Sequence, residues 1–198
     1  MKTPTVRANT FKPKVLVFAG PNGSGKTTIT RNMPYYGTYV NADDLKKEYG
    51  LTDIEAARGA EALRNRLVEK RAALTFETVL STDRNLLLLR KAKQNGYKIE
   101  CVYVLTCDVN INVARVKGRV WEGGHDVPED KIRSRYFKAL KLLPQLMDVC
   151  DEMLIYDNSL EKASLVFEKT RRGEVLFPTV VWPVEKLKAL LKRNAIEL

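Results

Sequence analysis

One segment constrains this chain more than any other: Val15-Leu16-Val17-Phe18-Ala19 followed by Gly20-Pro21-Asn22-Gly23-Ser24-Gly25-Lys26-Thr27. Five apolar residues in a row describe a strand buried on both faces. They run straight into a string that fits G-x-x-x-x-G-K-[ST]. A glycine-rich turn between strand and helix lets backbone N–H groups close around phosphate oxygens. In that pattern Gly20, Pro21, Asn22, Gly23, Ser24 and Gly25 wrap a triphosphate. Lys26 reaches the β- and γ-phosphates, and the Thr27 hydroxyl offers a ligand to Mg²⁺. Thr28 joins the phosphate-binding set at the start of a helix whose positive end faces the anion. The pattern predicts that this helix runs on to Met33, where Pro34 stops it.

Beyond this segment, strand and helix signals alternate, which predicts an α/β fold with a mostly parallel sheet. Five strands are expected: Val15 to Ala19, Thr38 to Asn41, Leu74 to Leu80, Ile99 to Leu105 and Met153 to Tyr156. Helical patterns cover about 54–74, 84–95, 108–122 and 128–147. A further hairpin around Arg171-Arg172-Gly173 and a helix from Val184 to Leu191 make a small C-terminal extension, about 161–198. The expected architecture is a single three-layer domain with a five-stranded core over about 13–160. Lys2 to Lys14 form a basic tail expected to be partly mobile.

A length of 198 residues suits one domain with a sizeable core. No apolar run is long enough for a membrane span. The N-terminus lacks the apolar stretch of a signal peptide, and Cys101, Cys107 and Cys150 are scattered and odd in number. These features predict a cytoplasmic protein with reduced thiols. The net charge of +10 suits polyanionic partners, nucleotides before nucleic acid.

The loop motif alone leaves the chemistry open. GTPases add D-x-x-G and N-K-x-D, and neither string occurs. Motor-type ATPases end a strand in Asp-Glu, and no candidate strand does. A small kinase remains, with acceptor groups at the ends of other strands and an arginine-bearing lid. Asn41-Ala42-Asp43-Asp44 follows the second strand, where Asp43 can take a proton from an attacking hydroxyl or cap the next helix. Glu77, beside Thr78, sits within an apolar run, where an ionised carboxylate needs a partner or a ligand. Arg115 and Arg119 share a helix face. Gly123-Gly124 supplies a hinge, and Asp126 with Glu129 has the spacing of a capping box. Arg133 and Arg135 are further lid candidates. His125, the only histidine, is expected to pack, to hydrogen-bond, or to touch the phosphates or substrate.

Together these strings resemble the zeta-toxin family in its short stand-alone form. The match rests on Ala19 to Thr27, Asn41-Ala42-Asp43, Phe76-Glu77-Thr78, Arg115-Val116 with Arg119-Val120, Gly123 to Glu129 with Arg135-Tyr136, and Tyr156-Asp157-Asn158. The resemblance implies a P-loop kinase with ATP and Mg²⁺, acting on a hydroxyl of a nucleotide-like metabolite such as UDP-N-acetylglucosamine. It implies Asp43 as general base and Glu77, with Thr78 and His125, on the substrate. Lys26, Arg115 and Arg119 would stabilise the transferring group. An antitoxin protein is the implied partner. Gly-Gly-His-Asp-Val-Pro stands where one lid arginine is sought, so position alone does not assign the second catalytic arginine. Two other functions fit the same residues: a polynucleotide 5′-hydroxyl kinase and a non-catalytic ATP-binding regulatory module.

Overall fold

The structure is a computed structural model and describes residues 12–124, 126–192 and 196–197. The basic tail up to residue 11 and His125 lie outside the described residues.

The first strand, β1 (Lys14–Ala19), carries the apolar run and ends at the glycine loop. It is flanked by β3 (Leu74–Thr78) and β4 (Lys98–Leu105), both parallel to it. Outside them lie β2 (Thr38–Val40) and β5 (Glu152–Asp157), also parallel. The hairpin of β6 (Ser164–Thr170) and β7 (Gly173–Leu176) continues the same sheet in antiparallel sense. A two-residue strand, β8 (Ile196–Glu197), pairs with β7. The order is β2-β3-β1-β4-β5-β6-β7-β8. The sheet therefore has seven strands and a short eighth, not five. The hairpin of the C-terminal extension joins this sheet through the antiparallel pairing of β6 with β5.

Alternation along β1 divides the core. Val15, Val17 and Ala19 join the large cluster on one face, while Leu16 and Phe18 point to a small cluster on the other. The large cluster is covered by α3 (Asp53–Glu69), α4 (Arg84–Gln94), α6 (Glu129–Val149) and α7 (Val184–Leu191). The small cluster takes Met33, Tyr36, Tyr39 and Tyr156 at its rim. Helix α3 starts in a complete capping box, Thr52 with Glu55, and buries Ala56, Ala60, Arg64 and Val68 along one stripe. It stops at Glu69, short of the expected 74, because the chain must turn before entering β3.

Helix α1 (Lys26–Thr30) has only five residues, shorter than the expected run to Met33. Helix α2 (Ala42–Tyr49) follows β2 and is capped by Asn41, whose side chain accepts from the Asp43 N–H at 2.9 Å. Asp43 thus sits in the first turn and is not the cap. Helix α5 (Val109–Trp121) is capped by Asp108 and closes at Gly123-Gly124. The Gly124 N–H bonds Arg119 O and the Gly123 N–H bonds Val120 O, both at 2.9 Å, with Gly123 at φ +83°. This is a Schellman closure, so the diglycine ends a helix. The capping box expected from Asp126 and Glu129 does not form. Pro128 is the N-cap of α6, and the Glu129 carboxylate instead meets Lys117 and Arg133, each at 2.8 Å.

Candidate active site

The chain adds strands first on one side of β1 and then on the other, and open parallel sheets bind ligands at the carboxyl ends of the strands beside such a switch. Register brings the candidate residues to those ends. Phe18 pairs with Glu77 and Ala19 with Thr78, while Val40 pairs with Phe76 and leads into Asn41. Three short strings far apart in sequence therefore meet at the carboxyl ends of the strands.

The glycine loop is held from outside by two asparagines. Asn112, fully buried on α5, donates from Nδ2 to Asn22 O at 2.6 Å. Its Oδ1 accepts from Thr106 Oγ1, and Thr106 O accepts from Tyr136 OH at 2.7 Å. Burial pushes the Tyr136 phenol up to about 12, so it stays a donor. On the other side Asn158 Nδ2 donates to Ser24 O at 2.9 Å, and Arg115 fixes Asn158 by donating to its carbonyl at 2.7 Å. A trans peptide points its C=O and the next N–H in opposite directions. Drawing the carbonyls of Asn22 and Ser24 outward therefore turns the Gly23 and Gly25 N–H groups toward the loop interior.

Gly23 is required by geometry. It has φ +75°, and a Cβ there would lie 2.9 Å from the Asn112 Cα, against backbone that cannot yield. Ser24 Oγ is buried with no protein partner among the described residues, as is Asn22 Oδ1. An inward amide cradle and an unengaged hydroxyl fit a polyphosphate.

Lys26 folds back across the loop, half-buried, and donates to Gly20 O at 2.7 Å and Pro21 O at 3.2 Å. Desolvation lowers its ammonium from 10.5 to about 8. The surrounding charges act in the order Glu77, Arg119 and Asp43, the carboxylates raising the value and the arginine lowering it. Lys26, Glu77, Asp43 and Arg119 thus share one electrostatic neighbourhood. Thr27 lies exposed in the first turn of α1, as does Asp43 in α2. Among the described residues no cluster of His, Cys, Asp or Glu could hold a metal by itself. A magnesium ion here would take the Thr27 hydroxyl and draw its other ligands from phosphates and water, as this ion commonly does.

Two candidates have structural partners. The Thr78 hydroxyl accepts from the Leu80 N–H at 2.9 Å and from Asn85 at 2.8 Å, tying the turn after β3. Arg133 is paired with Glu129. Reasoning from sequence missed Asn112, Tyr39 and the role of Asn158. Asn112 was detectable, since 112, 115, 116 and 119 lie on one helical face with the arginines. Tyr39 donates to Glu77 Oε1 at 2.5 Å, a contact no spacing rule foretells.

The fold and the loop define a P-loop kinase-type domain. The chain belongs to the zeta toxin family, whose model matches residues 2–169. An uncharacterised protein of Haemophilus influenzae is 31% identical over 129 residues, covering 62% of this chain and 92% of that protein. Among solved structures, the AvrRxo1-ORF1:AvrRxo1-ORF2 complex with sulphate ions matches with a TM-score of 0.71 at 15% identity, over 92% of this chain. The same complex with ATP matches at 0.68 and 15% identity, over 94% of this chain. This chain spans 65% of the length of the matched AvrRxo1 chain in each case. The PezAT chromosomal toxin-antitoxin system of Streptococcus pneumoniae matches at 0.54 and 18% identity, over 81% of this chain and 72% of that one. Among the described residues no helix is long and apolar enough to cross a membrane.

Proposed function

We propose that this chain is an ATP-dependent kinase that transfers the γ-phosphoryl of MgATP to a hydroxyl of a small nucleotide-like metabolite. UDP-N-acetylglucosamine is the first acceptor to test. The observation that carries this reading is the register of β1, β2 and β3, which brings Glu77 and the helix turn bearing Asp43 to the same strand ends as the glycine loop and Lys26. A nucleotide sensor needs the lysine but neither carboxylate.

The loop amides and Lys26 bind the triphosphate and neutralise its charge. Thr27 would hold a Mg²⁺ ion, which would supply further charge neutralisation to the bound triphosphate. Asp43, exposed beside the strand ends, accepts the proton of the acceptor hydroxyl as that oxygen attacks phosphorus and ADP leaves. Glu77 holds the acceptor. Arg119 stabilises charge on the transferring group, and Arg115 anchors Asn158 behind the loop.

The test is incubation with γ-labelled ATP, first with UDP-N-acetylglucosamine and then with a cell metabolite extract, followed by identification of the labelled product. Asp43→Asn should keep ATP binding and lose transfer by about 10²–10⁴-fold. Transfer at the wild-type rate by that variant would refute the base, and absence of any labelled metabolite would refute the kinase. Labelling of oligonucleotide 5′ ends in place of metabolites would move the acceptor to nucleic acid. A small acidic antitoxin is the partner we propose, on the strength of the toxin-antitoxin system among the structural matches and the charge of +10. Co-expression with a neighbouring acidic protein, followed by co-purification, checks it.

A further inference from the structure

Glu77 does not stand alone at the acceptor side. In the parallel pairing of β2 with β3, Tyr39 lies opposite Thr75. Side chains alternate along a strand, so Thr75, Glu77 and Tyr39 share one face. On that face the Tyr39 hydroxyl donates to Glu77 Oε1 at 2.5 Å. Burial, with Glu77 beside it, drives the Tyr39 phenol well above its ordinary value, so it remains protonated and a donor.

The segment before β2 is pinned to the same face. Thr75 Oγ1 accepts from the Tyr36 N–H at 2.7 Å and donates to Tyr36 O at 3.0 Å, and the Thr38 N–H bonds Ala73 O at 3.2 Å. The Tyr36 hydroxyl donates to Glu100 at 3.0 Å, while Lys14 Nζ lies 4.4 Å from the centre of its ring. This anchoring sets Tyr35 beside Tyr39, with ring centres 5.9 Å apart and planes tilted by 54°. Tyr35 is nonetheless 63% exposed. An aromatic ring that is held in place and left open to solvent is a stacking platform for a flat π-system.

We infer that Tyr35 and Tyr39 form the acceptor-recognition element. Tyr35 stacks a nucleobase of the acceptor, and Tyr39 is a positioning residue that fixes the Glu77 carboxylate. The inference rests on the kinase reading above and adds which residues read the planar base of such an acceptor. It gives donor and acceptor separate sets of residues, so changes at the two tyrosines should leave ATP untouched.

Two measurements on the full chain test it. The first needs no turnover. With the donor site filled by a non-hydrolysable ATP analogue, saturation-transfer NMR is recorded on UDP, CDP and GDP. Saturation should reach the base protons of at least one of them. It should disappear in Tyr35→Ala and return in Tyr35→Phe, which restores a ring. Absence of transfer to all three bases in the wild type, or its persistence in Tyr35→Ala, overturns the inference whether or not the protein is a kinase. The second uses the acceptor identified by γ-phosphoryl labelling. Tyr35→Ala should raise the acceptor KM about tenfold, in line with loss of a stacked base, with the ATP KM unchanged and kcat within about twofold. Tyr39→Phe should raise the acceptor KM as well, and should add little in a Glu77→Gln background, since both changes remove the same interaction. Additive effects, or a parallel rise in the ATP KM, would show that Tyr39 only supports the fold. A wild-type chain that labels no metabolite yet passes the first measurement removes the kinase reading and leaves the base site standing.

Discussion

The desolvated lysine makes nucleotide binding a proton-uptake reaction above neutral pH. In the free protein Lys26 titrates at about 8. A polyphosphate beside it favours the ammonium and moves its value well upward. At pH 8 half of the free chains carry a neutral Lys26, so each binding event takes up about 0.5 proton; at pH 7 the figure is about 0.1 and at pH 9 about 0.9. The observed Kd follows from the same fractions. It weakens by the ratio of about 11 to about 1.1 between pH 7 and pH 9, which is about tenfold. Titration calorimetry with a non-hydrolysable ATP analogue, in pairs of buffers with different ionisation enthalpies, reads both quantities. Lys26→Arg is the control, since a guanidinium stays charged throughout this range; its pH dependence should vanish. A wild-type Kd that is flat from pH 7 to 9, with no buffer dependence of the heat at pH 8, would show that Lys26 is an ordinary solvated lysine.

Other substitutions probe the same loop. The Lys26 value is depressed on folding, so the charged form opposes folding fully below about pH 8, and the penalty fades as pH rises toward 10.5. Lys26→Met should therefore raise the Tm of the nucleotide-free protein by a few degrees at pH 7, and the difference should shrink to about a quarter by pH 10, as followed by circular dichroism. Gly23→Ala forces a Cβ onto the Asn112 backbone at φ +75° and should abolish analogue binding by calorimetry. Gly50→Ala, also at positive φ but in open space, should cost only about 1 kcal/mol in urea unfolding and leave binding intact. Asn112→Leu leaves Asn22 O without its donor and should destabilise the fold by about 1–3 kcal/mol; its analogue affinity should fall too, and unchanged affinity would mean that the loop holds its shape without α5.

Much of the scaffold is legible because its signals are local. The run from Val15 to Ala19 became β1, and the helix expected from Val184 to Leu191 is α7 residue for residue. The hairpin at Arg171-Arg172-Gly173 forms where turn chemistry places it. Its membership of the main sheet is not local information, since it depends on β5 presenting a free edge to β6. The lid strings were misread for a similar reason. Asp126 and Glu129 have capping-box spacing, yet Glu129 is drawn to Lys117 and Arg133, which offer two cations in place of one backbone N–H.

The sequence by itself determined that a glycine-rich loop of the P-loop pattern joins a buried strand to a helix. It also marked Asp43 and Glu77 as carboxylates at strand ends. Composition and spacing suffice for these because a glycine turn, a strand and a cap are each built within a few residues. The tertiary structure decided how the loop is held open, by Asn112 and Asn158 arriving from helix α5 and from beyond β5. It also decided that Glu77 is gripped by Tyr39 from a neighbouring strand. These contacts join residues 38 to 134 positions apart. Their formation depends on strand order and register, and those are settled only when the whole sheet packs.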